Sequence, residues 1–398
     1  MKNKFLTLIV CLTALTFTNC SSDDDSTNPT ITPTPASTGG IIDPTIGGFN
    51  QSNRVYFDLS TGEEVAVQRD TWELAVYNGS ENRVYLNNSL LVSAAELSGI
   101  TDITSVTETT ELSTPLTLNT YDAAQNQQGN ITVTVNTVSE LMQGLPISYS
   151  QYGNLDEGIF FTDSKEGELT GTAFGEISTT DIENNVYIVN LGNQIPTEEN
   201  GGLNHVGEAR GFMKVRILSD GNTYTIQYAA LSNTTDFSEI TVTKDSSYNL
   251  TGVSLTNGLI IETEPISSNW DLDLGGVFSY YGSQGLDAGL TYSDYTLHNT
   301  LSGVGVYQID VEDDTTPTYT NFSFSDINEA NLIFDNRAYI GSGWRSVDYL
   351  TGETTVTANR YYIIKDTDGN YYKLRFTAVE SETGERGNPQ FQYDLLIE

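Results

Sequence analysis

Few residues of this chain carry a thiol, imidazole or thioether group, the side chains that act as thiol nucleophiles, general bases or soft metal ligands. The 398 residues include two histidines, His205 and His298, and two cysteines, Cys11 and Cys20. Because both cysteines lie within the first 20 residues, the remainder has no thiol for a disulfide, a metal site or a nucleophile. The 53 acidic residues keep a glycosidase pair open as an alternative, but no acid/base pair stands at a defined spacing. We therefore expect a binding protein rather than an enzyme.

The candidate ligands come from different parts of the sequence. His205 lies in a Gly- and Asn-rich stretch, residues 198–207, which predicts a loop whose side chains reach solvent or a ligand. Met142 stands in a short, turn-like stretch and could be exposed. Met213 alternates with apolar neighbours, which favours a place in the core.

A pattern of three strands occurs twice, in residues 54–77 and in residues 253–274. In each copy an alternating strand, a Gly turn and a second strand precede a strand that begins Trp-acidic-Leu. A period of two is typical of strands whose two faces differ. It predicts that Trp72 and Trp270 share a face with the leucines that follow them, away from the acidic residues between.

A second repeated element follows each Trp strand, in residues 212–228 and 361–376. Both stretches place an Asp-Gly pair between alternating runs, which is the strongest short-range signal for a β-hairpin. The ends of the two copies match and their middles differ, which indicates a duplicated domain. We expect an all-β fold of two tandem, mostly antiparallel β-sheet domains, residues 46–245 and 246–398.

The charge excludes some classes of partner. The chain has 17 basic and 53 acidic residues, for a net charge of −36. Phosphate backbones require a cationic surface, so nucleic acid is not expected to bind. Anionic lipid headgroups are disfavoured for the same reason. Any membrane association is therefore expected through the N-terminus alone.

The N-terminus has the features of a lipoprotein signal. Residues 1–19 combine a basic start with an apolar stretch too short to span a membrane. Cys20 follows directly and is expected to become the lipidated first residue; an ordinary secretory signal is the alternative. Residues 20–45 then predict a Ser-, Thr- and Pro-rich linker. Residues 21–25, two serines followed by three aspartates, resemble the acidic tract that directs Bacteroidetes lipoproteins to the surface, so we expect an exposed, lipid-anchored outer-membrane protein.

Several of these features together resemble one family. They are the Gly-turn strand, the Trp strand at Trp270, the Gly-Trp-Arg segment at residues 343–345 and the hairpin at residues 368–376. This ordered set, with the lipoprotein start, resembles the HmuY family of haem-binding lipoproteins from Bacteroidetes. The resemblance implies an all-β fold, capture of haem, and delivery of haem to a TonB-dependent outer-membrane receptor.

The resemblance also implies axial ligands for haem iron. In that family two side chains from one domain hold the iron, paired His in some members and Met in others. His205 with Met142 is the implied pair in the first domain, and His298 is the implied donor in the second. Two other interpretations stay open: these are unrelated loop residues, or the protein is a non-haem surface module that binds glycan or protein.

Overall fold

Alternating apolar residues form antiparallel strands throughout the computed structural model. It describes residues 35–121, 130–144, 154–155, 161–197, 207–283, 286–348, 350–351 and 353–398. The one α-helix among these residues is α1 (Val138–Gly144). Residues 36–398 form one compact unit. The predicted all-β class is confirmed.

Twenty-three strands are present in these residues. In chain order they are β1 Gly39–Ile42, β2 Asn53–Phe57, β3 Glu64–Gln68, β4 Leu74–Tyr77, β5 Val84–Leu86, β6 Ser93–Leu97, β7 Glu111–Tyr121, β8 Asn130–Thr137, β9 Asn154–Leu155, β10 Val186–Asn190, β11 Phe212–Ser219, β12 Thr223–Ala229, β13 Ser238–Thr243, β14 Leu250–Ser254, β15 Leu259–Ile261, β16 Leu272–Ser283, β17 Leu286–His298, β18 Gly305–Asp310, β19 Arg345–Val347, β20 Thr354–Val356, β21 Arg360–Lys365, β22 Tyr371–Glu380 and β23 Arg386–Leu396.

Four larger sheets contain most of these strands. Two have five strands each, in the orders β13-β12-β11-β10-β6 and β1-β23-β22-β21-β18. Two have four strands each, in the orders β15-β14-β4-β5 and β17-β16-β2-β3. Smaller sheets join β8-β7-β9 and β19-β20. The four larger sheets form two pairs of matching design, as the duplication predicts.

The two copies exchange their opening strands. Two tandem domains would pair the opening strands of each copy with the Trp strand of the same copy. In the structure β2 pairs with β16, so that Phe57 lies opposite Leu272. Conversely, β14 pairs with β4, so that Val253 lies opposite Leu74. Each copy therefore completes the sheet of the other.

The pairing divides the chain differently from the predicted boundary at residues 245 and 246. Strands β4–β15, residues 74–261, form what we call the inserted unit. Strands β1–β3 and β16–β23 form the flanking unit. The core of the inserted unit includes Val253 and Leu255 from beyond residue 245, and the core of the flanking unit includes Val55 and Phe57 from the N-terminal strands. We propose these two units as the domains of the protein.

Both Asp-Gly hairpins form, at β11–β12 and β21–β22. They are equivalent in position. In each sheet the hairpin lies between a strand that precedes it in the chain, β10 or β18, and the strand that follows it, β13 or β23. The two sheets differ in their fifth strand, which is β6 beside β10 in one and β1 beside β23 in the other.

Some local sequence preferences differ from the structure. Residues 93–97 have a composition that suits a helical turn, but they form β6, with Ala95 opposite Ile188 of β10. The turn-like stretch around Met142, residues 139–144, belongs to α1. Residues 325–330 have the pattern of a capped short helix, but two 3-10 turns form there, Phe324–Asp326 and Glu329–Asn331. Tertiary pairing overrides weak local preference in such short stretches.

The acidic residue after each Trp fixes the exchanged strand. Glu73 accepts a hydrogen bond from the backbone N–H of Leu255 at 2.6 Å. Asp271 accepts one from the N–H of Leu59 at 2.8 Å. Both carboxylates are fully buried, and burial raises the pKa of Asp271 to about 7. The same contact thus holds the strand exchange in both copies.

Candidate functional site: the cavity beside His298

His298 ends β17, and Leu86 ends the matching strand β5. His298 lies opposite Leu272 in the β16–β17 pair, and Leu86 lies opposite Leu74 in the β4–β5 pair. The two side chains therefore occupy equivalent positions in the two copies. One copy places a leucine where the other places an imidazole.

The residue that follows confirms this equivalence. The side-chain amide of Asn87 donates to the carbonyl oxygen of Trp72 at 2.8 Å. The side-chain amide of Asn299 donates to the carbonyl oxygen of Trp270 at 3.0 Å. These bonds tie the end of each strand to the start of the Trp strand, and so fix where His298 stands.

His298 is 2% exposed. Burial lowers the pKa of its imidazole to about 4, against a smaller raising effect from the backbone of Ile333 and Arg337. Neither ring nitrogen has a hydrogen-bond partner of normal geometry among the described residues. At pH 7 the ring is neutral, so that one nitrogen offers a lone pair and the other a proton.

The imidazole borders a cavity of about 60 Å³ between the two units, which we call the His298 cavity. Its lining includes Tyr85 of the inserted unit, Tyr56 of the flanking unit, and Trp72 and Trp270 from the two connections between the units. The rings of Tyr56 and Trp270 meet edge to face, with centroids 4.9 Å apart. Aromatic walls of this kind limit the access of water to the polar groups inside.

The two tryptophans are not where alternation placed them. Leu272 and Leu274 face the core of the flanking unit, as predicted. Trp72 and Trp270, however, line the His298 cavity. Each Trp stands two residues before its strand begins, at Leu74 or Leu272, so the period of two does not extend to it.

An ion pair lies on one side of the cavity. Arg54 and Asp273 are both more than nine-tenths buried, and Arg54 Nε donates to Asp273 Oδ1 at 3.1 Å. Arg54 also donates to the side-chain oxygen of Asn88. Burial lowers the pKa of Arg54. A buried pair needs such additional hydrogen bonds, because both charges have lost their hydration.

Glu264 is the second carboxyl group of the cavity and is 5% exposed. Its Oε1 accepts a hydrogen bond from the backbone N–H of Leu250 at 2.8 Å. Burial nevertheless raises its pKa to about 8. The group is therefore predominantly protonated and uncharged at pH 7.

Arg337 lies at the half-buried rim of the cavity. Its guanidinium donates to the backbone oxygens of Ser164 and Lys165, at 3.2 and 3.3 Å. It also stands 6.0 Å from the centre of the Tyr85 ring. Within the described residues no carboxylate forms an ion pair with it.

The sequence did not identify these charged residues as a group. Arg54, Glu264, Asp273 and Arg337 come from four separate segments, which only the strand exchange brings together. The alternation along β2 gave a partial indication of the site. Val55 and Phe57 face the core, whereas Arg54 and Tyr56 lie on the opposite face of the strand. A face with charged and aromatic residues can also be buried, and both residues are buried here.

The other predicted site residues stand elsewhere. Met142 lies on α1, half-buried against a cluster of the inserted unit that contains Leu97 and Val138. Met142 and His298 do not line a common cavity among the described residues. His205 and Cys20 lie outside the described residues.

Met213 combines two features. It is half-buried against the core of the inserted unit, as alternation predicted. It also lines a cavity of about 490 Å³, together with Tyr228, Phe237 and Leu255. Pockets for drug-sized ligands measure roughly 300–1,000 Å³. This cavity is within that range, whereas the His298 cavity is too small for a haem macrocycle.

No group of three or more His, Cys, Asp or Glu side chains is placed to hold a metal ion in the described part of the chain. No described helix is both long and apolar enough to cross a membrane.

The chain resembles several known proteins. It is similar to a protein of Bacteroides vulgatus described as HmuY-like and heme-binding, with 17% identity, over 37% of this chain and 85% of that chain, at a TM-score of 0.19. It is also similar to a protein of Bacteroides fragilis described as a lipoprotein, with 15% identity, over 47% and 92% of the two chains, at a TM-score of 0.19.

A third similar structure is the apo HmuY analogue of Tannerella forsythia, with 16% identity, over 41% of this chain and 85% of that chain, at a TM-score of 0.15. No curated protein matches the chain. A family model described as HmuY protein matches residues 50–393, which include both the inserted unit and most of the flanking unit. The chain therefore belongs to the HmuY family.

Proposed function

We propose that the protein is a surface lipoprotein that binds haem and passes it to a TonB-dependent outer-membrane receptor. The observation that carries this proposal is membership of the HmuY family over residues 50–393. Membership also favours binding over catalysis. Cys20 would carry the lipid anchor, and residues 20–45 would hold the folded part away from the membrane.

The proposed axial ligands are His205 and Met142, because imidazole and thioether donors suit haem iron. Met213 is a second thioether candidate, since it lines a cavity of about 490 Å³. His298 is the third candidate from the sequence. Its ring nitrogens make no hydrogen bond of normal geometry among the described residues, but its cavity of about 60 Å³ would have to open before a macrocycle reached it.

A haemin titration of the full chain, followed by visible absorption, tests the proposal. We expect a sharpened, shifted Soret band that saturates at one haem per site. His205→Ala and Met142→Ala should each abolish the shift, because removing one axial donor changes the coordination of the iron. Met213→Ala serves as the matched thioether variant, and His298→Ala as the matched imidazole variant.

The pattern of loss identifies the site. Loss in Met213→Ala with Met142→Ala unchanged would move the thioether ligand to β11. Loss only in His298→Ala would move the site to the flanking unit. A titration with no Soret change in any variant would refute haem binding, and a glycan- or protein-binding surface module would become the leading function.

A further inference from the structure

The His298 cavity contains polar groups that the fold leaves without partners. Trp270 Nε1, Thr263 Oγ1 and both ring nitrogens of His298 make no hydrogen bond of normal geometry among the described residues. All three side chains line the cavity and are 7% exposed or less. An indole N–H can only donate. Since a buried donor without a partner has lost its hydration uncompensated, a bound group with acceptor atoms would stabilise the site.

The charges of the cavity favour an anion. Arg54 is balanced by Asp273, whereas Arg337 has no carboxylate partner within 4.0 Å among the described residues. Glu264 has its pKa raised to about 8 by burial and adds little negative charge at pH 7. Burial raises the pKa of Asp163 to about 6, against the opposing effect of the charge on Arg337, but Asp163 does not line the cavity. The lining itself therefore carries one positive charge more than it has ionised carboxylates, inside a chain whose net charge is −36.

Two polar residues of the lining, Arg54 and His298, are present in one copy only. Phe57 and Val253 are equivalent, because they face Leu272 and Leu74 in the two exchanged pairs. Arg54, three residues earlier, is therefore matched by Leu250, as His298 is matched by Leu86. The fold accommodates leucine at both places, so the charged and imidazole groups are not required by the architecture. This asymmetry favours a ligand as their reason.

We propose that the His298 cavity binds a small oxyanion, a carboxylate or an inorganic oxyanion, through Arg337, Thr263 and Trp270. Its volume of about 60 Å³ accommodates roughly four to six water-sized groups. A planar guanidinium recognises two oxygens of such an anion at once. The indole N–H and the threonine hydroxyl supply further donors. The site does not depend on haem binding, since a macrocycle does not fit there.

Calorimetric titration of the full chain at pH 7 with sodium acetate, and separately with sodium phosphate, tests the site, with sodium chloride at matched ionic strength as the reference. We expect saturable binding of one anion per chain beyond the response to chloride. Thr263→Val removes one donor at nearly constant volume and should weaken binding about tenfold, which corresponds to about 1.4 kcal/mol, because a hydrogen bond to a charged group is lost. Acetate alone would identify a carboxylate site, and phosphate alone an inorganic one.

Thr162→Val is the matched control. Thr162 is 4% exposed, its hydroxyl also lacks a partner among the described residues, and it does not line the cavity. The Thr162→Val variant should bind the anion as the unmodified chain does. The Thr263→Val variant should keep the Soret response to haemin, because the cavity is separate from the proposed haem site. Binding of neither anion beyond chloride would overturn the proposal. So would equal affinities for Thr263→Val and Thr162→Val.

Discussion

At the scale of single residues, the two copies of the domain differ at two positions where they face each other. Leu86 and Leu250 on one side are matched by His298 and Arg54 on the other. Burial then sets the protonation of the polar members. It lowers the pKa of His298 to about 4 and raises that of Glu264 to about 8. Both groups are therefore predominantly neutral at pH 7.

Glu264 makes the stability of the protein depend on pH. Burial raises its pKa from the ordinary value of 4.5 to about 8 in the folded protein. Its favourable contribution is therefore fully present below pH 4.5 and is lost as the pH rises towards 8. The free energy of unfolding should fall across this window by at most about 1.4 kcal/mol per pH unit from this group.

Glu264→Gln should remove this slope, because an amide does not ionise. Chemical unfolding at several pH values between 4.5 and 8 measures it in both proteins. Glu262→Gln, an exposed carboxyl two residues away, is the control. Identical slopes for Glu264→Gln and the unmodified chain would show that Glu264 does not titrate in this window.

At the scale of elements, the length of the connections explains the strand exchange. If β2 paired with β4 of its own copy, β3 and β4 would lie on opposite sides of β2 and would run parallel to each other. A connection between parallel strands requires a crossover of about a dozen residues. Only residues 69–73 separate β3 from β4. Residues 262–271 separate β15 from β16 and are also too few. The exchange with the other copy avoids both crossovers.

Among the contacts that hold an exchanged strand, we expect those of Asp271 to be the most sensitive to mutation. It accepts hydrogen bonds from the backbone N–H groups of Leu59 and Thr367, at 2.8 and 2.9 Å. Asp271→Ala leaves both donors without this acceptor and should reduce the free energy of unfolding by about 2–4 kcal/mol.

Denaturant unfolding near pH 7 measures the loss at Asp271. Asp271→Asn, which keeps an acceptor oxygen at almost the same position, should lose less. Equal losses in the alanine and asparagine variants would mean that the carboxylate fixes the strand through packing rather than through hydrogen bonds.

At the scale of the whole molecule, the flanking unit is divided by the inserted unit. The core of the inserted unit lies wholly between Leu74 and Leu255. The core of the flanking unit consists of side chains from residues 46–59 and from residues 272–393. The His298 cavity lies where the two units meet, so a shift of one unit against the other would change its volume.

Fragments of the chain test this division. Residues 70–263 contain β4–β15 and should unfold cooperatively, because the core of the inserted unit is complete. Residues 46–245 lack β14 and β15, which removes Val253 and Leu255 from that core and leaves one edge of β4 unpaired. Thermal unfolding followed by circular dichroism compares them. A cooperative transition for residues 46–245 alone would favour the boundary at residues 245 and 246.

The sequence by itself determined the class of fold, the two Asp-Gly hairpins and the family. These depend on local alternation, turn chemistry and an ordered set of motifs, which persist in any tertiary arrangement. Only the tertiary structure decided that β2 pairs with β16 and β14 with β4, because both copies show the same alternation and strand pairing depends on partners distant in the chain. The His298 cavity follows from that exchange. Its charged residues become neighbours only when the two copies complete each other.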